Sequence, residues 1–199
     1  MVIRAVLFIN GDLACLPRLR LKKTDCLIGV DGGTHLILKL KRRPNLIIGD
    51  FDSFPRPARG RVVIKSSQDF TDTEIALDYC VKHGFKDMVL VGVLGSRLDH
   101  LLANIFLGAR FNLTIIEGKQ TLYFSPSGFH LEGRAGDLVS LIPLTDCSGI
   151  KTIGLKWRLQ GETLKVGSSR GVSNVMTGKA ARVSLKKGRL LVIKTAQPG

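Results

Sequence analysis

The chain has 199 residues, 44% of them apolar and 23% charged, which is enough apolar content to bury a core and too much for intrinsic disorder. Its 22 Gly and 7 Pro follow no three-residue period, and no stretch reaches the roughly 18 to 20 apolar residues of a membrane-spanning helix, so collagen-like and helical membrane classes are excluded. Thirty Lys and Arg against 16 Asp and Glu leave a net charge of +14, divided as +6 over residues 1–125 and +8 over 126–199, so the chain attracts anions without a basic tail.

Over residues 1–125 short apolar runs alternate with helix-like segments, and Gly, Asp or Asn marks each junction. The runs predict strands at Ile3–Ile9, Cys26–Val30, Asn45–Ile48, Arg61–Lys65, Met88–Val93 and Leu113–Glu117. Helices are predicted at Thr34–Lys41, Asp72–His83 and Leu98–Phe111, where apolar residues such as Ile75, Ala76, Tyr79 and Cys80 recur at three- and four-residue spacing. Nearly continuous Val, Ile and Leu runs are those of strands covered on both faces, so this half reads as α/β with a mainly parallel sheet.

After Ser125-Pro126-Ser127-Gly128 the pattern changes. Asp137–Ile142, Gly154–Leu159, Ala181–Leu185 and Leu190–Lys194 are strand-length segments between turn residues, and Lys187-Gly188 reads as a hairpin turn. The second half is therefore expected to be antiparallel β. Cys15, Cys26, Cys80 and Cys147 are widely spaced, with no Cys-x-x-Cys pair and no His at zinc-ligand spacing. The N-terminal run Ala5–Ile9 is too short for a signal peptide. A cytoplasmic chain with reduced cysteines is expected.

In this basic chain the acidic residues gather where predicted strands end. Asp31-Gly32-Gly33 follows one strand and Gly49-Asp50-Phe51-Asp52-Ser53 the next, while Asp69-Phe70-Thr71-Asp72 and Ser96-Arg97-Leu98-Asp99-His100 open helices. Ligands of open α/β sheets bind beyond the carboxyl ends of the strands, so these motifs can converge on one site. Asp50 and Asp52 share a face if the chain stays extended, which suits a shared Mg²⁺; an ordinary turn is the alternative. Thr71 and Glu74 read as a capping box, which leaves a ligand role for Asp72 open. Gly32 and Gly33 allow a phosphate to approach the backbone, and Arg97 offers a guanidinium fork. Trp157, the only Trp, is either core or a stacking platform.

Taken in order, these motifs, together with Gln68, Ala103-Asn104, Gly154-Leu155-Lys156-Trp157 and Ser173-Asn174, resemble the thiamine pyrophosphokinase family over nearly the whole chain. The resemblance implies an α/β catalytic domain over residues 1–125 and a C-terminal antiparallel β-sandwich over 126–199. It implies transfer of the pyrophosphoryl group of ATP to the thiamine hydroxyl, giving thiamine diphosphate and AMP with Mg²⁺. On it, Asp50, Asp52 and Asp72 hold metal or metal-bound water, and Asp99 completes the acidic cluster. Asn10, Asp31, Gly32, Gly33, Arg97, His100 and Asn104 would face nucleotide or phosphate. Gln68, Trp157, Ser173 and Asn174 would face thiamine, in a homodimer whose cleft is completed by the partner's β-domain. A related pyrophosphokinase acting on a hydroxymethylpterin is the alternative reaction, and a basic nucleic-acid-binding protein the alternative class.

Overall fold

The computed structural model describes residues 3–11, 19–50, 61–64, 68–95, 97–125 and 128–198. The chain divides into two compact units, Met1–Leu107 with Ile115–Gly118, and Gly108–Thr114 with Lys119–Gly199. Among the described residues no helix is long and apolar enough to cross a membrane.

The first unit is built on β1 (Arg4–Phe8), β2 (Cys26–Val30), β3 (Leu46–Gly49), β4 (Val62–Ile64), β5 (Asp87–Val91) and β6 (Thr114–Glu117), in the spatial order β6-β5-β1-β2-β3-β4. The β1–β2, β1–β5, β2–β3 and β3–β4 pairs are parallel. Ala5, Val6, Leu7 and Phe8 are fully buried, so the central strand is covered on both faces, as its unbroken apolar run requires. Phe8 and Val6 pack with Leu36 and Ile37 of α1 (Thr34–Lys39) and with Val89 and Val91 of β5. Each such side chain contributes about 1.5–3 kcal/mol by leaving water. The helices α2 (Asp72–Lys82) and α3 (Leu98–Phe111) lie within a residue of their predicted ranges, while α1 ends two residues early and is preceded by a 3-10 turn over Asp31–Gly33.

Strand order places the site. The chain runs outward from β1 through β2 and β3 to β4, then returns to lay β5 on the other side of β1. The chain goes on from β1 to β2 on one side and from β5 to β6 on the other, and a crevice opens beyond the carboxyl ends of β1 and β5. Close backbone packing floors it. A Cβ on Gly11 would lie 2.1 Å from the Gly92 carbonyl oxygen, and Gly92 itself has φ +81°, a left-handed conformation that favours glycine.

The second unit is a sandwich of two antiparallel sheets. One contains β7 (Gln120–Ser125), β9 (Leu138–Pro143), β12 (Asn174–Val175) and β14 (Leu190–Thr195) in the order β12-β9-β14-β7. The other contains β8 (Gly128–Glu132), β10 (Cys147–Ile153), β11 (Gln160–Leu164) and β13 (Ala180–Ser184) in the order β11-β10-β13-β8. Period-two alternation sends Val139 and Leu141 of β9 into a core shared with Leu131, Ile150 and Val183 of the facing sheet. Cys147 is part of that core and Cys80 of the first unit's interior, each behaving as a small apolar residue.

Two expectations about this half are corrected. Lys187-Gly188 is not a hairpin turn, because β13 and β14 belong to different sheets. The segment instead crosses between the sheets while bridging Ser148, and a Cβ on Gly188 would meet the Asp146 carbonyl oxygen at 2.5 Å. Gly154–Leu159 is a loop rather than a strand, with only an isolated Leu155–Met176 bridge. Gly154 has φ +74°, which turns the chain out of the sheet.

Candidate active site

A cleft of about 520 Å³ lies beyond the carboxyl ends of β1 and β5. Asn10 enters it after β1, Asp31 after β2, and Gly92 and Val93 after β5. Gln68, Asp69 and Asp72 reach it from the start of α2, while Arg97, His100 and Asn104 reach it from the start of α3. Seven expected site residues, carried by four separate chain segments, are thus gathered around one space.

Asp31 is the most constrained of them. It is 8% exposed, its φ is +45°, and its Oδ1 is buried with no hydrogen-bond partner among the described residues. Asp tolerates the left-handed region better than most residues, and strain of this kind collects at functional sites. Gly49 explains how a second carboxylate comes near: a Cβ there would lie 3.0 Å from the Cβ of Asp31, so the chain passes against Asp31 just before delivering Asp50. Asp50 is half-buried, and Asp52 lies outside the described residues.

This donor set suits a divalent cation. A buried carboxylate oxygen without a donor is costly unless a cation neutralises it. Asp31, Asp69 and Asp72 offer hard oxygen atoms in one cleft. Among the described residues no three His, Cys, Asp or Glu side chains form a ready-made metal cage. Mg²⁺ does not need one, since it takes one or two carboxylates and fills the remaining positions with water and phosphate.

The start of α2 shows how Asp72 is positioned. Thr71 caps the helix by accepting from the Glu74 N–H at 3.3 Å, and that cap sets Asp72 at the first helical position, where the helix dipole favours a carboxylate.

Several expected residues behave differently. Gly32 and Gly33 are buried and do not line the cleft. Packing accounts for both: a Cβ on Gly33 would lie 2.0 Å from the Phe8 carbonyl oxygen, and one on Gly32 2.7 Å from Asn10 Cγ. Asp99 does not join the acidic cluster. It is exposed, pairs with Arg97 at 2.5 Å and accepts from the His100 N–H at 2.9 Å. The Arg97 guanidinium, helped by that N–H, holds its carboxyl at about 2, far below the range in which a general base works at neutral pH.

The second unit gathers its own group. Trp157, on the Gly154–Leu159 loop, is 56% exposed, so it is not core. Asn174 is 4% exposed; its Oδ1 accepts from the Trp157 N–H at 3.0 Å, and its Nδ2 donates to the Trp157 carbonyl at 2.6 Å. The Lys156 ammonium sits 5.0 Å from the indole centroid, within cation–π range. Ser173 has φ +61°, and its N–H donates to Ser140 Oγ at 3.0 Å. An exposed ring on a pinned backbone offers a stacking surface. Asn174 serves it from behind, through the backbone.

Sequence reasoning placed Asp69 and Phe70 at the site only as part of the motif that opens α2 and passed over Thr73, although all three line the cleft. It also passed over Glu117, which closes β6 with its carboxyl buried. Alternation from the buried Ile115 was the available signal for Glu117, since residues two apart on a strand share a face.

Two family models match the chain: "Thiamin pyrophosphokinase, catalytic domain" over residues 18–117 and "Thiamin pyrophosphokinase, vitamin B1 binding domain" over 129–190. A thiamine pyrophosphokinase of Bacillus subtilis is 30% identical over 184 residues, covering 84% of this chain and 86% of the relative. A thiamin pyrophosphokinase of Caenorhabditis elegans is 26% identical, covering 83% and 76%. Among solved structures, the Bacillus subtilis thiamine pyrophosphokinase superimposes with a TM-score of 0.88 at 25% identity, over 98% of this chain and 100% of that one. The Geobacillus thermodenitrificans thiamin pyrophosphokinase does so with a TM-score of 0.86 at 26% identity, over 99% of each chain. With both of its domains matched in order and the fold shared end to end, the chain belongs to the thiamin pyrophosphokinase family.

Proposed function

We propose that this enzyme transfers the pyrophosphoryl group of ATP to the hydroxyl of thiamine, giving thiamine diphosphate and AMP. The observation that carries the reading is the joining, in one cleft, of the buried Asp31 carboxylate with Asp69 and Asp72 and of Arg97 and His100 with Asn10. Such a cleft has acidic groups to hold a cation and polar or cationic groups to hold a polyphosphate.

Asp31, Asp69 and Asp72, which share the cleft, would hold Mg²⁺, with Asp50 arriving beside Asp31 and Asp52 beyond the described residues; the metal when bound neutralises charge on the polyphosphate. Arg97, once it exchanges Asp99 for a phosphate, supplies a bidentate donor, and His100 and Asn104 add hydrogen-bonding groups along α3. The thiamine hydroxyl oxygen forms a bond to the β-phosphorus as the bond from that phosphorus to the α,β-bridging oxygen breaks. AMP keeps that oxygen, and the hydroxyl proton passes to a cleft carboxylate or to water. Alignment and charge neutralisation supply most of the acceleration in such a displacement. Trp157 offers the thiamine rings a stacking surface, with Ser173 beside it and Asn174 holding it. Assembly as a homodimer belongs to the same proposal, and sedimentation of the purified protein tests it.

The test of the reaction is purified protein with ATP, Mg²⁺ and thiamine, following AMP and thiamine diphosphate together, with EDTA and acceptor-free controls. Equal amounts of both products, abolished by EDTA, are expected. AMP release that does not depend on thiamine would overturn the acceptor and send the search to hydroxymethylpterins.

A further inference from the structure

Glu117 is the last residue of β6 and is 2% exposed. Its Oε1 accepts from the Val93 backbone N–H, and its Oε2 is buried with no hydrogen-bond partner among the described residues. Burial pushes this carboxyl up to about 7, against the opposing pull of the Val93, Leu94 and Gly92 N–H groups. An apolar residue would close the strand without burying a carboxyl. What the glutamate adds is its hold on Val93.

That hold matters because of where Val93 lies. Gly92 and Val93 line the cleft, and the same backbone continues through Gly95 to Arg97 and the start of α3. On the β1 side the path is set by backbone contacts: the Ile9 N–H donates to the Val91 carbonyl at 2.9 Å, and a Cβ on Gly92 would lie 2.5 Å from the Ile9 carbonyl oxygen. On the β6 side the path is held by the Glu117 side chain.

We infer that Glu117 is a positioning residue for the nucleotide side of the cleft, acting through the Val93 N–H on the segment that presents Arg97, His100 and Asn104. The inference rests on the reading of that side as the ATP site. It touches no reacting atom, so its signature is selective: it bears on nucleotide affinity and leaves the acceptor alone.

Two variants of the full-length protein test it, Glu117→Leu and Glu117→Gln, by calorimetric titration with ATP and Mg²⁺ and by steady-state kinetics in each substrate. Glu117→Leu leaves a buried N–H without an acceptor and is expected to raise the ATP Kd and KM about tenfold while the thiamine KM stays within about twofold. Glu117→Gln keeps a carbonyl oxygen for Val93 and is expected to restore most of that loss. An unchanged ATP Kd in Glu117→Leu, an equal rise in both KM values, or a Gln variant as impaired as the Leu variant would overturn the inference. Should Glu117→Leu fail to fold, Glu117→Asp replaces it: the shorter carboxyl withdraws from Val93, so Asp weakens ATP and Gln does not, and the opposite order overturns the inference. Wild-type protein that binds ATP without transferring it would sink the proposed reaction, yet the titrations would still decide the role of Glu117.

Discussion

Asn174 grips the backbone of Trp157 with both ends of its amide, accepting from the N–H at 3.0 Å and donating to the carbonyl at 2.6 Å, while the indole itself stands 56% exposed. The amide also accepts from the Val175 N–H at 2.9 Å, so one buried side chain satisfies three backbone groups around a loop. The indole itself takes no part in holding its own loop.

This separates two variants. Asn174→Ala strands buried backbone groups and is expected to cost about 1–3 kcal/mol of stability. Trp157→Ala removes a half-exposed ring and is expected to cost under about 1 kcal/mol while raising the thiamine KM. Trp157 is the only Trp, so its fluorescence reports the loop directly. A shifted emission maximum in Asn174→Ala, with thiamine quenching the wild-type signal, is the expected result. An unshifted emission would show that the amide does not set the ring's position.

Asp31 predicts a loss without a folding cost. Its φ of +45° would strain most substitutions, but Asn tolerates the left-handed region as well as Asp does. Asp31→Asn removes only the charge from a buried carboxyl whose Oδ1 has no hydrogen-bond partner among the described residues. Turnover is expected to fall by about 100-fold or more, with Tm unchanged or raised. Unfolding midpoints measured with and without Mg²⁺ check the same assignment: the metal should stabilise the wild type more than the variant. Equal Mg²⁺ effects on the two proteins would remove Asp31 from the metal site.

These contrasts also mark what the amino-acid order discloses. Strands buried on both faces, such as β1 and β2, were legible because a parallel sheet needs unbroken apolar runs. The acidic motifs were legible because in a basic chain they stood at strand ends. Less was readable in the second half, where a short strand and a turn carry similar residues: Gly154–Leu159 has strand-like composition, yet Gly154 turns out of the sheet. Lys187-Gly188 has the residues of a hairpin, but sheet membership is decided by pairing across long separations, with β14 seated between β7 and β9. Gly33 misled for a related reason: its motif suggests a ligand, while the Phe8 carbonyl packed against it is set by three-dimensional contact. Asp99 is taken up locally, by Arg97 two residues before it.

Acid stability should depend on the Arg4–Asp25 pair. The Arg4 Nη2 lies 2.6 Å from Asp25 Oδ2 and its Nε 3.1 Å from Oδ1, and the Lys22 N–H also donates to Oδ2 at 2.7 Å. Burial pushes the Asp25 carboxyl up, but the Arg4 guanidinium and the Lys22 N–H together hold it below the ordinary value. With the folded-state pKa depressed, the stabilisation is present above the unfolded carboxyl value, near about 4, and is lost as pH falls through the folded value. Asp25→Asn is expected to cost about 2–4 kcal/mol at neutral pH and to flatten the loss of stability below about pH 4. Urea unfolding at a series of acid pH values checks both, and an unaltered acid limb would show that another carboxylate governs it.

Glu117 predicts the opposite slope. Burial raises its carboxyl from the ordinary 4.5 to about 7, so as pH rises the unfolded chain gives up this proton before the folded chain does. Stability therefore falls between the two values and stays lower above them. Glu117→Gln has no proton to lose. Its stability relative to the wild type is expected to rise by about 2–3 kcal/mol between pH 5 and pH 8, most of the full difference given by roughly 1.4 kcal/mol per unit of pKa difference. Urea midpoints of the two proteins at pH 5, 6.5 and 8 make the measurement. Parallel curves would mean that the carboxyl ionises alike in the folded and unfolded chain, and that the buried Oε2 meets a compensating group when charged.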